Sequence, residues 1–375
     1  MTGEGASRRG ADASPRSWAA GARALAVIAL LATFPTPAAA EPADSPVLTA
    51  RVFGVPVRLE VEPFAERART RDALAAALEA IFRAQALTSP DPSALPFAPE
   101  ITGGVADLNR AAGGPAVRVD ADLFELLQRA LGFCRWSEGA LGPLGGHLTT
   151  LWGLRRQVLG KPTMAALEHA TYSAACDRLT VDHEAGTVTL AAGSLVDLLP
   201  FERGFAADQA IEAFRDHGAS NGWVEIGHLA RAIGGGPSGD GWPIAVDATD
   251  PVTTPTERIL LQDRALALAA AWAEPVEIAG DRHPRFLDQR SGRPGTGTVA
   301  VVAVTETAVD AAGLAAVLFV LPSRVGEYRL GALRPTPAVK WFLGTGEGLP
   351  LIVERGWADL PKWRADGPFG LPRRP

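Results

Sequence analysis

Cysteine is scarce in this chain, because the sequence contains only two among its 375 residues. Cys134 and Cys176 therefore allow no more than one disulfide bond. Both lie in apolar segments whose pattern favours helices, so we expect two buried free thiols. A single disulfide is the alternative. Neither a metal centre nor a redox centre is expected from these two residues.

The sequence also has no excess of positive charge. Its 36 lysines and arginines are outnumbered by 42 aspartates and glutamates, and no basic stripe stands out. A nucleic acid is therefore not expected as a partner, because nucleic-acid binding depends on clustered basic residues. Hydrophobic residues make up 47% of the chain and charged residues 21%, which predicts a folded globular protein with a substantial core.

Long hydrophobic runs are missing as well. The strongest one, ALAVIALLATF at residues 24–34, falls short of the roughly 20 apolar residues that a membrane-spanning helix needs. Arginines precede this run, and TPAAA at residues 36–40 resembles a signal-peptidase site. We therefore predict a signal peptide over residues 1–40, cut after Ala40, and export to the periplasm by the Sec or the twin-arginine route. No transmembrane segment is predicted in the mature chain.

Hydrophobic periodicity predicts both strands and helices. Residues 47–61 alternate between apolar and other side chains, which predicts two strands joined by a kink. Thr70 is predicted to cap a first helix, and a second helix is predicted to follow Asp120. Residues 178–190 predict a hairpin, and a further helix is predicted to end near Gly218.

The second half of the chain continues this mixture. Strands are predicted at residues 223–233, 242–247, 258–268 and 298–305, and an apolar helix at 311–321. Strands occur in runs with helices between the runs, which is typical of an α+β fold rather than a doubly wound sheet. Because no repeat and no long linker appears, we predict one domain over residues 41–360 and a Pro-rich tail over residues 361–375.

Five segments, taken in order, carry a specific resemblance. They are Ser137-Glu138-Gly139-Ala140 continuing to Leu151-Trp152-Gly153, Asp197-Leu198 with Gly204, Ala206 and Asp208, Val224-Glu225-Ile226-Gly227, Phe286-Leu287-Asp288 with Arg290-Ser291-Gly292-Arg293-Pro294, and AGLAAVLFVL at residues 312–321. Each segment alone is a weak match. In this order, over nearly the whole mature chain, they resemble the FAD:protein FMN transferase (ApbE-type) family.

The resemblance implies a fold, an activity and a set of ligands. The fold would be α+β, one large domain of two interleaved lobes with mixed or antiparallel sheets flanked by helices. The activity would be a Mg²⁺-dependent transfer of FMN from FAD to a threonine of an exported redox protein or a membrane redox complex. By their place in the motifs, the flavin contacts fall on Ala140, Leu141, Gly142, Asp197, Arg203, Gly204 and Phe286.

Several positions depart from the family pattern. The metal-binding positions fall on Pro200, Ala312 and Ala316, and alanine side chains have no oxygen, so we predict that no metal site is intact. A flavin-contacting aspartate has become Gly142. The family's histidine has become Arg285, which removes a proton acceptor. These replacements predict weak Mg²⁺ binding and leave the catalytic residues unassigned.

The departures leave three hypotheses for the function. The first is a FAD:protein FMN transferase. The second is a protein that binds FAD or another flavin without cleaving it, and the third is an interaction protein of an exported redox complex. Trp272 stands where the family has a loop of small residues, and we expect its ring to intrude on the flavin.

Other polar residues of the motifs have a structural explanation beside the functional one. Arg203 would contact a nucleotide phosphate, or it would form an ion pair with Glu202 or Asp208. Asp197 and Asp208 would contact the adenosine part of the ligand, or they would cap helices. His228 replaces a glycine of its motif and would act on the substrate, or it is an ordinary polar loop residue.

Overall fold

The computed structural model describes residues 46–246, 257–346 and 349–362. The predicted signal peptide, the last residue of the strand predicted at 242–247 and most of the predicted tail lie outside these ranges. No helix within them is both long and apolar enough to cross a bilayer.

The main structural feature is a large antiparallel sheet. The strands of the described ranges are β1 (Val47–Val52), β2 (Val55–Val61), β3 (Leu179–Asp182), β4 (Thr187–Leu190), β5 (Gly222–Ile226), β6 (Leu229–Ile233), β7 (Trp242–Val246), β8 (Glu257–Leu261), β9 (Ala265–Ala270), β10 (Val276–Ile278), β11 (Asp281–His283), β12 (Leu287–Asp288), β13 (Arg293–Pro294), β14 (Thr298–Thr305), β15 (Ala338–Leu343) and β16 (Leu351–Arg355). The sheet has 8 strands in the order β1-β2-β5-β6-β9-β14-β15-β16, and all neighbours are antiparallel. The other strands form two-stranded pairs.

Helices flank this sheet. They are α1 (Arg67–Thr88), α2 (Val105–Arg110), α3 (Ala121–Trp136), α4 (Gly146–Leu151), α5 (Met164–Ser173), α6 (Glu202–Asp216), α7 (Ala308–Val320) and α8 (Ser323–Leu330). Helices α1, α6 and α7 pack against one another and against one face of the sheet. This arrangement confirms the predicted α+β class and the fold that the resemblance implies.

The central strand β14 is buried on both faces of the sheet. Its Val301 and Ala303 join the core that the helices cover. Val302 and Val304 point the other way and pack in a second core with the β7-β8 hairpin and Trp357. A strand buried on both faces reads as a continuous apolar run, which is why its sequence predicted it correctly.

Two predicted strands are in fact pairs of strands. Residues 223–233 fold as the β5-β6 hairpin, whose turn contains Gly227 at φ +60° and His228. Residues 258–268 divide between β8 and β9, and Asp263 in the turn between them has φ +51°. The sequence did not reveal these turns because apolar residues continue close to both of them. The first turn places His228 at one end of the large sheet.

The predicted role of Thr70 is wrong. Helix α1 begins at Arg67, so Thr70 lies in its first turn rather than before it. The Thr70 hydroxyl accepts a hydrogen bond from the backbone N–H of Phe64 at 2.9 Å. This hydrogen bond therefore holds the segment before α1 against the first turn of the helix.

The prediction of two free thiols is also wrong. Cys134 of α3 and Cys176, in a short 3₁₀ turn before β3, form a disulfide across a sequence separation of 42 residues. Cys134 is completely buried, as expected. The partner was not predictable, because the contact depends on how the hairpin β3-β4 and its preceding turn fold back against α3.

A close approach between α6 and α7 fixes the helices beside the functional site. Gly204 faces the first turn of α7, and a Cβ atom added to it would lie 2.5 Å from the carbonyl oxygen of Ala308. That contact involves backbone, which cannot move aside cheaply. Gly204 was predicted as a flavin contact, and its observed surroundings are the packing of these two helices.

We expect Gly204→Ala to lower the free energy of unfolding by about 2 to 3 kcal/mol, as over-packed core substitutions do. The measurement is chemical denaturation with urea. Gly132→Ala is a matched control, because Gly132 is also helical but has nothing within 4 Å of an added Cβ. The control should raise stability by up to about 1 kcal/mol. Equal effects of the two substitutions would contradict the packing argument.

Candidate functional site

A small cavity lies where all five motif segments meet. Its volume is about 90 Å³, and its polar lining consists of Thr149, Asp197, Arg203, His228, Glu274, Arg285 and Gln289. Apolar side chains, among them Leu141 and Phe286, complete its walls. A cavity of roughly 150 Å³ holds one benzene ring, so a three-ring flavin does not fit unless the walls move. The structure therefore shows a closed form of the cavity.

A larger cleft of about 970 Å³ adjoins the cavity. The walls of both contain Thr149, Asp197, Leu199, Arg203, Glu274 and Arg285. Arginines also line the outer part of the cleft, at positions 51, 155 and 156. An elongated anionic ligand would therefore find an apolar end in the cavity and arginine donors in the cleft, whose walls also carry aspartates and glutamates.

Two arginines converge on one carboxylate at the boundary between cavity and cleft. Arg203 donates from both terminal nitrogens to the two oxygens of Glu274, at 2.6 and 2.7 Å, and Arg285 donates to the same carboxylate. The side chains of Arg203 and Arg285 are only 15% and 14% exposed. We call these three residues the inner ion cluster.

The inner ion cluster keeps Glu274 charged. Burial opposes ionisation, but the hydrogen bonds from Arg203 and the charges of Arg285 and Arg203 together outweigh it and lower the pKa of Glu274 to about 2. The two ion pairs that the sequence suggested for Arg203, with Glu202 and Asp208, are not formed. Instead Glu202 pairs with Arg155, while Asp208 caps α7 through the N–H groups of residues 308 and 309.

A second cluster lies beside the first. Arg155 donates from Nε to Asp197 at 2.8 Å and from Nη2 to Glu202 at 2.7 Å. Asp197 also accepts from the Thr149 hydroxyl at 2.7 Å and from the backbone N–H of Leu199 at 2.9 Å. Burial disfavours the Arg155 cation, yet the two carboxylates outweigh burial and raise its pKa. We call Asp197, Arg155 and Glu202 the outer ion cluster, in which a guanidinium lies between the carboxylates.

The predicted flavin contacts divide into two groups. Leu141, Asp197, Arg203 and Phe286 all line the cavity. Ala140, which is completely buried, is not among the residues that line the cavity or the cleft. The two glycines of the prediction also lie behind the walls rather than in them.

Gly142 is confined by the disulfide. A Cβ atom at this position would lie 2.6 Å from both Cβ and Sγ of Cys134. The aspartate that the family pattern has here is therefore sterically excluded in this chain. The carbonyl oxygen of Gly142 instead accepts a hydrogen bond from Nε2 of Gln289 at 3.0 Å.

The residues at the family's metal positions do not fit a magnesium ion. Pro200 and Ala312 line the cavity, and Ala316 is 1% exposed, but neither alanine side chain offers an oxygen. Nearby Asp310 accepts from the hydroxyl of Thr307 and from Arg129, at 2.8 and 2.9 Å. Among the described residues no group of three or more histidine, cysteine, aspartate or glutamate side chains could hold a metal ion.

His228 is the titratable residue of the cavity wall that belongs to neither ion cluster. Its exposed ring contacts Trp272 edge to face, with 5.4 Å between the ring centroids. Desolvation lowers the pKa of His228, and the charges of Arg203 and Arg285 act in the same direction against the opposing charge of Glu274. Trp272 packs on the second core and is not among the residues that line the cavity or the cleft, and its intrusion on the flavin stays a prediction.

Sequence reasoning missed three residues of the site. Glu274, Arg155 and Gln289 contribute most of its ion pairs and hydrogen bonds, but none of them is one of the residues that carried the family resemblance. Gln289 replaces the motif's proline, which was a visible departure from the family pattern. Glu274 and Arg155 gave no signal, because their partners are distant in sequence.

Comparisons with known proteins identify the family. A sequence model of the ApbE family matches residues 64–338. The FAD:protein FMN transferases of Haemophilus influenzae and Treponema pallidum are 29% and 30% identical, over 55% and 58% of this chain. The matched regions span about three fifths of these relatives, 62% and 64% of their lengths.

Solved structures show the same fold. The flavin transferase ApbE of Vibrio cholerae superposes with a TM-score of 0.70 at 21% identity, covering 84% of this chain and 97% of that one. The ApbE protein of Thermotoga maritima gives 0.69 at 23% identity, covering 83% and 97%. With the family model matching most of the chain, the conclusion is that this chain belongs to the ApbE family.

Proposed function

We propose that this chain is a FAD:protein FMN transferase that acts in the periplasm on an exported redox protein or a membrane redox complex. The observation that carries the proposal is the meeting of five family motifs around one cavity, which adjoins an arginine-lined cleft. The names of its curated relatives support the same reaction. The matched regions cover only about three fifths of these relatives. The substrates and the compartment are therefore proposed here and not taken over from them.

The cavity suits the ring system of a flavin better than its phosphates. Gln289 is 5% exposed, and its Oε1 is buried without a hydrogen-bond donor from the described residues. A buried acceptor without a partner is costly unless a ligand or water supplies the donor. The ring N–H of the flavin pyrimidine edge is such a donor, and Phe286 and Leu141 would contact the apolar part of the ring.

In the proposed reaction, the oxygen of a threonine hydroxyl on the target protein attacks the FMN phosphorus of FAD. A new oxygen–phosphorus bond forms, and the bond from that phosphorus to the bridging oxygen breaks, so that AMP leaves. The hydroxyl proton passes to His228, whose lowered pKa keeps the imidazole neutral near pH 7. Since the metal positions do not fit Mg²⁺, no step is assigned to a metal ion.

A second candidate is a protein that binds FAD without transferring FMN. The alanines at positions 312 and 316 favour it, because charge stabilisation by a metal contributes several kcal/mol to such reactions in typical enzymes. A purified protein of this kind would be yellow and would release intact FAD on heating. A colourless protein that takes up no FAD would instead favour the interaction-protein hypothesis.

The direct test is transfer to a substrate. The chain is incubated with FAD, Mg²⁺ and a target carrying the sequence pattern D-x-x-[ST]-G-A-T, and denatured protein is separated on a gel. We expect flavin fluorescence that stays with the target, and none on a control target whose acceptor threonine is alanine. If FAD binds and the target nevertheless remains unlabelled at high enzyme concentration, the transfer function is excluded.

A further inference from the structure

We infer that Arg203 and Arg285 form a metal-independent receptor for a pyrophosphate group, and that Glu274 occupies this receptor as a built-in competitor until the anion displaces it. The inference rests on the proposed function only for the identity of the ligand, a flavin dinucleotide. The receptor itself is argued from the inner ion cluster.

Arg203 has contacts other than Glu274, and Arg285 belongs to a segment of the cavity wall. Arg203 also donates to the carbonyl oxygen of Phe53 at 3.4 Å, in the turn between β1 and β2. On its other side lies Gly227, whose added Cβ would be 3.5 Å from Arg203 Nη1. Arg285 precedes Phe286 in the cavity wall. The receptor is therefore attached to the ends of the sheet and to a motif segment.

The inner ion cluster has more donors than its carboxylate can use. Each guanidinium carries five N–H donors, and the two oxygens of Glu274 accept bonds from only three nitrogens. Arg203 Nε is buried without a partner among the described residues, and Arg285 has a hydrogen bond to Glu274 alone. A pyrophosphate offers more oxygens in a larger volume, so it satisfies donors that a carboxylate leaves free.

Charge balance also requires that Glu274 leaves when an anion binds. The inner ion cluster has two guanidiniums and one carboxylate, and the outer ion cluster has one guanidinium and two carboxylates. Together they are neutral while Glu274 is in place. Its movement gives the site a net positive charge, which an incoming anion compensates.

Glu274 is placed so that its movement opens the site. It lies in the short connection between β9 and β10 and lines both cavity and cleft. Its φ of +50° is in the left-handed region, which is unfavourable for a residue with a side chain. The ion pairs therefore hold a strained connection closed over a cavity that is too small for a flavin, and loss of the pairs releases it.

The receptor also explains how the site manages without a metal. The carboxylates of the outer ion cluster are already bound by Arg155, Asp310 is bound by Thr307 and Arg129, and positions 312 and 316 carry only methyl groups. Guanidinium groups provide the positive charge that the phosphates need. This differs from the Mg²⁺ dependence that the resemblance implied.

The test is calorimetric titration with inorganic pyrophosphate in the presence of EDTA. We expect the full chain to bind pyrophosphate, Mg²⁺ to bring no increase in affinity, and Glu274→Gln to tighten binding by about tenfold because the competitor is removed. Glu168→Gln is the matched control: it removes the same charge at an exposed position of α5 that lines neither the cavity nor the cleft, and it should leave the affinity unchanged. Orthophosphate should bind more weakly than pyrophosphate.

A second measurement needs no variant and remains valid if Glu274→Gln does not fold. Pyrophosphate should accelerate hydrogen exchange of the backbone amides at residues 271–274 in the wild-type chain, because the connection is released. Binding that requires Mg²⁺, weaker binding by Glu274→Gln, or slower exchange at these residues overturns the inference. Since neither experiment contains flavin or a target protein, their failure is distinguishable from a failure of FMN transfer.

Discussion

Replacement of both Cys134 and Cys176 by alanine is expected to lower the free energy of unfolding by about 4 kcal/mol. The bond closes a loop with a sequence separation of 42 residues, and a cross-link of this span removes much of the entropy of the unfolded chain. It also ties α3 to the turn before the β3-β4 hairpin. Loss of the bond therefore affects a region that includes one wall of the cavity.

Urea denaturation of oxidised wild-type and variant protein measures this effect. Wild-type protein treated with a reductant is the control, because it loses the bond without losing the side-chain volume. Reduced wild type and the double variant should show similar stability. A decrease in the free energy of unfolding of less than about 1 kcal/mol would contradict the expectation. It would mean that contacts other than the disulfide already order the loop in the unfolded chain.

The second large effect concerns His228. We expect His228→Asn to slow FMN transfer by about 10² to 10³-fold, the range typical for loss of a general base, while FAD affinity changes by less than about twofold. The carboxylates of both ion clusters are engaged by arginines, so they are poor proton acceptors. His228 lies in the cavity wall outside both ion clusters. Its imidazole is therefore the group there that accepts a proton at neutral pH.

The pH dependence provides an independent check on His228. Only the neutral imidazole accepts a proton, so the transfer rate should rise with pH through the pKa of His228 and then level off. Burial lowers this pKa below its ordinary value of 6.5, so the rise should lie below pH 6.5. Glu274, which faces His228 together with Arg203 and Arg285, remains ionised throughout this range, because its pKa is lowered to about 2.

Single-turnover rates of FMN transfer, measured between pH 5 and 8, test both expectations. His217→Asn is a suitable control, because His217 lies at the C-terminal end of α6, lines neither cavity nor cleft, and its ring bonds to the carbonyl oxygen of Ala213. The control should keep the wild-type rate and profile. An unchanged rate in His228→Asn, or a profile that keeps its acidic limb, would remove His228 from the reaction.

Local patterns predicted much of the fold. The alternation in β1 and β2, the apolar run of β14 and the helix after Asp120 each reflect a pattern within a short segment, and all three are confirmed. The failures required knowledge of tertiary structure. The hairpin turn at His228 lies in an apolar stretch, and helices α5 and α8 were missed because they are short, with 10 and 8 residues, and their periodicity is weak.

Residues of the candidate site could be predicted only at positions that belong to a motif. Leu141, Asp197 and Arg203 were found through their place in motifs, and they do line the cavity. Glu274 and Arg155 could not be found, because their importance comes from ion pairs with residues far away in sequence. The sequence could show that metal ligands were absent, whereas the arrangement of the arginines required coordinates.

The contact between Cys134 and Gly142 links the shape of the ligand site to the chemistry of the surrounding solution. The sulfur that takes part in the disulfide lies where a side chain at position 142 would stand, next to the cavity wall. In a reducing cytoplasm this sulfur would be an unanchored thiol, and the wall would lack its cross-link. If the chain is exported as proposed, its flavin site reaches its final form only after translocation, so premature loading with the abundant cytoplasmic FAD would be disfavoured.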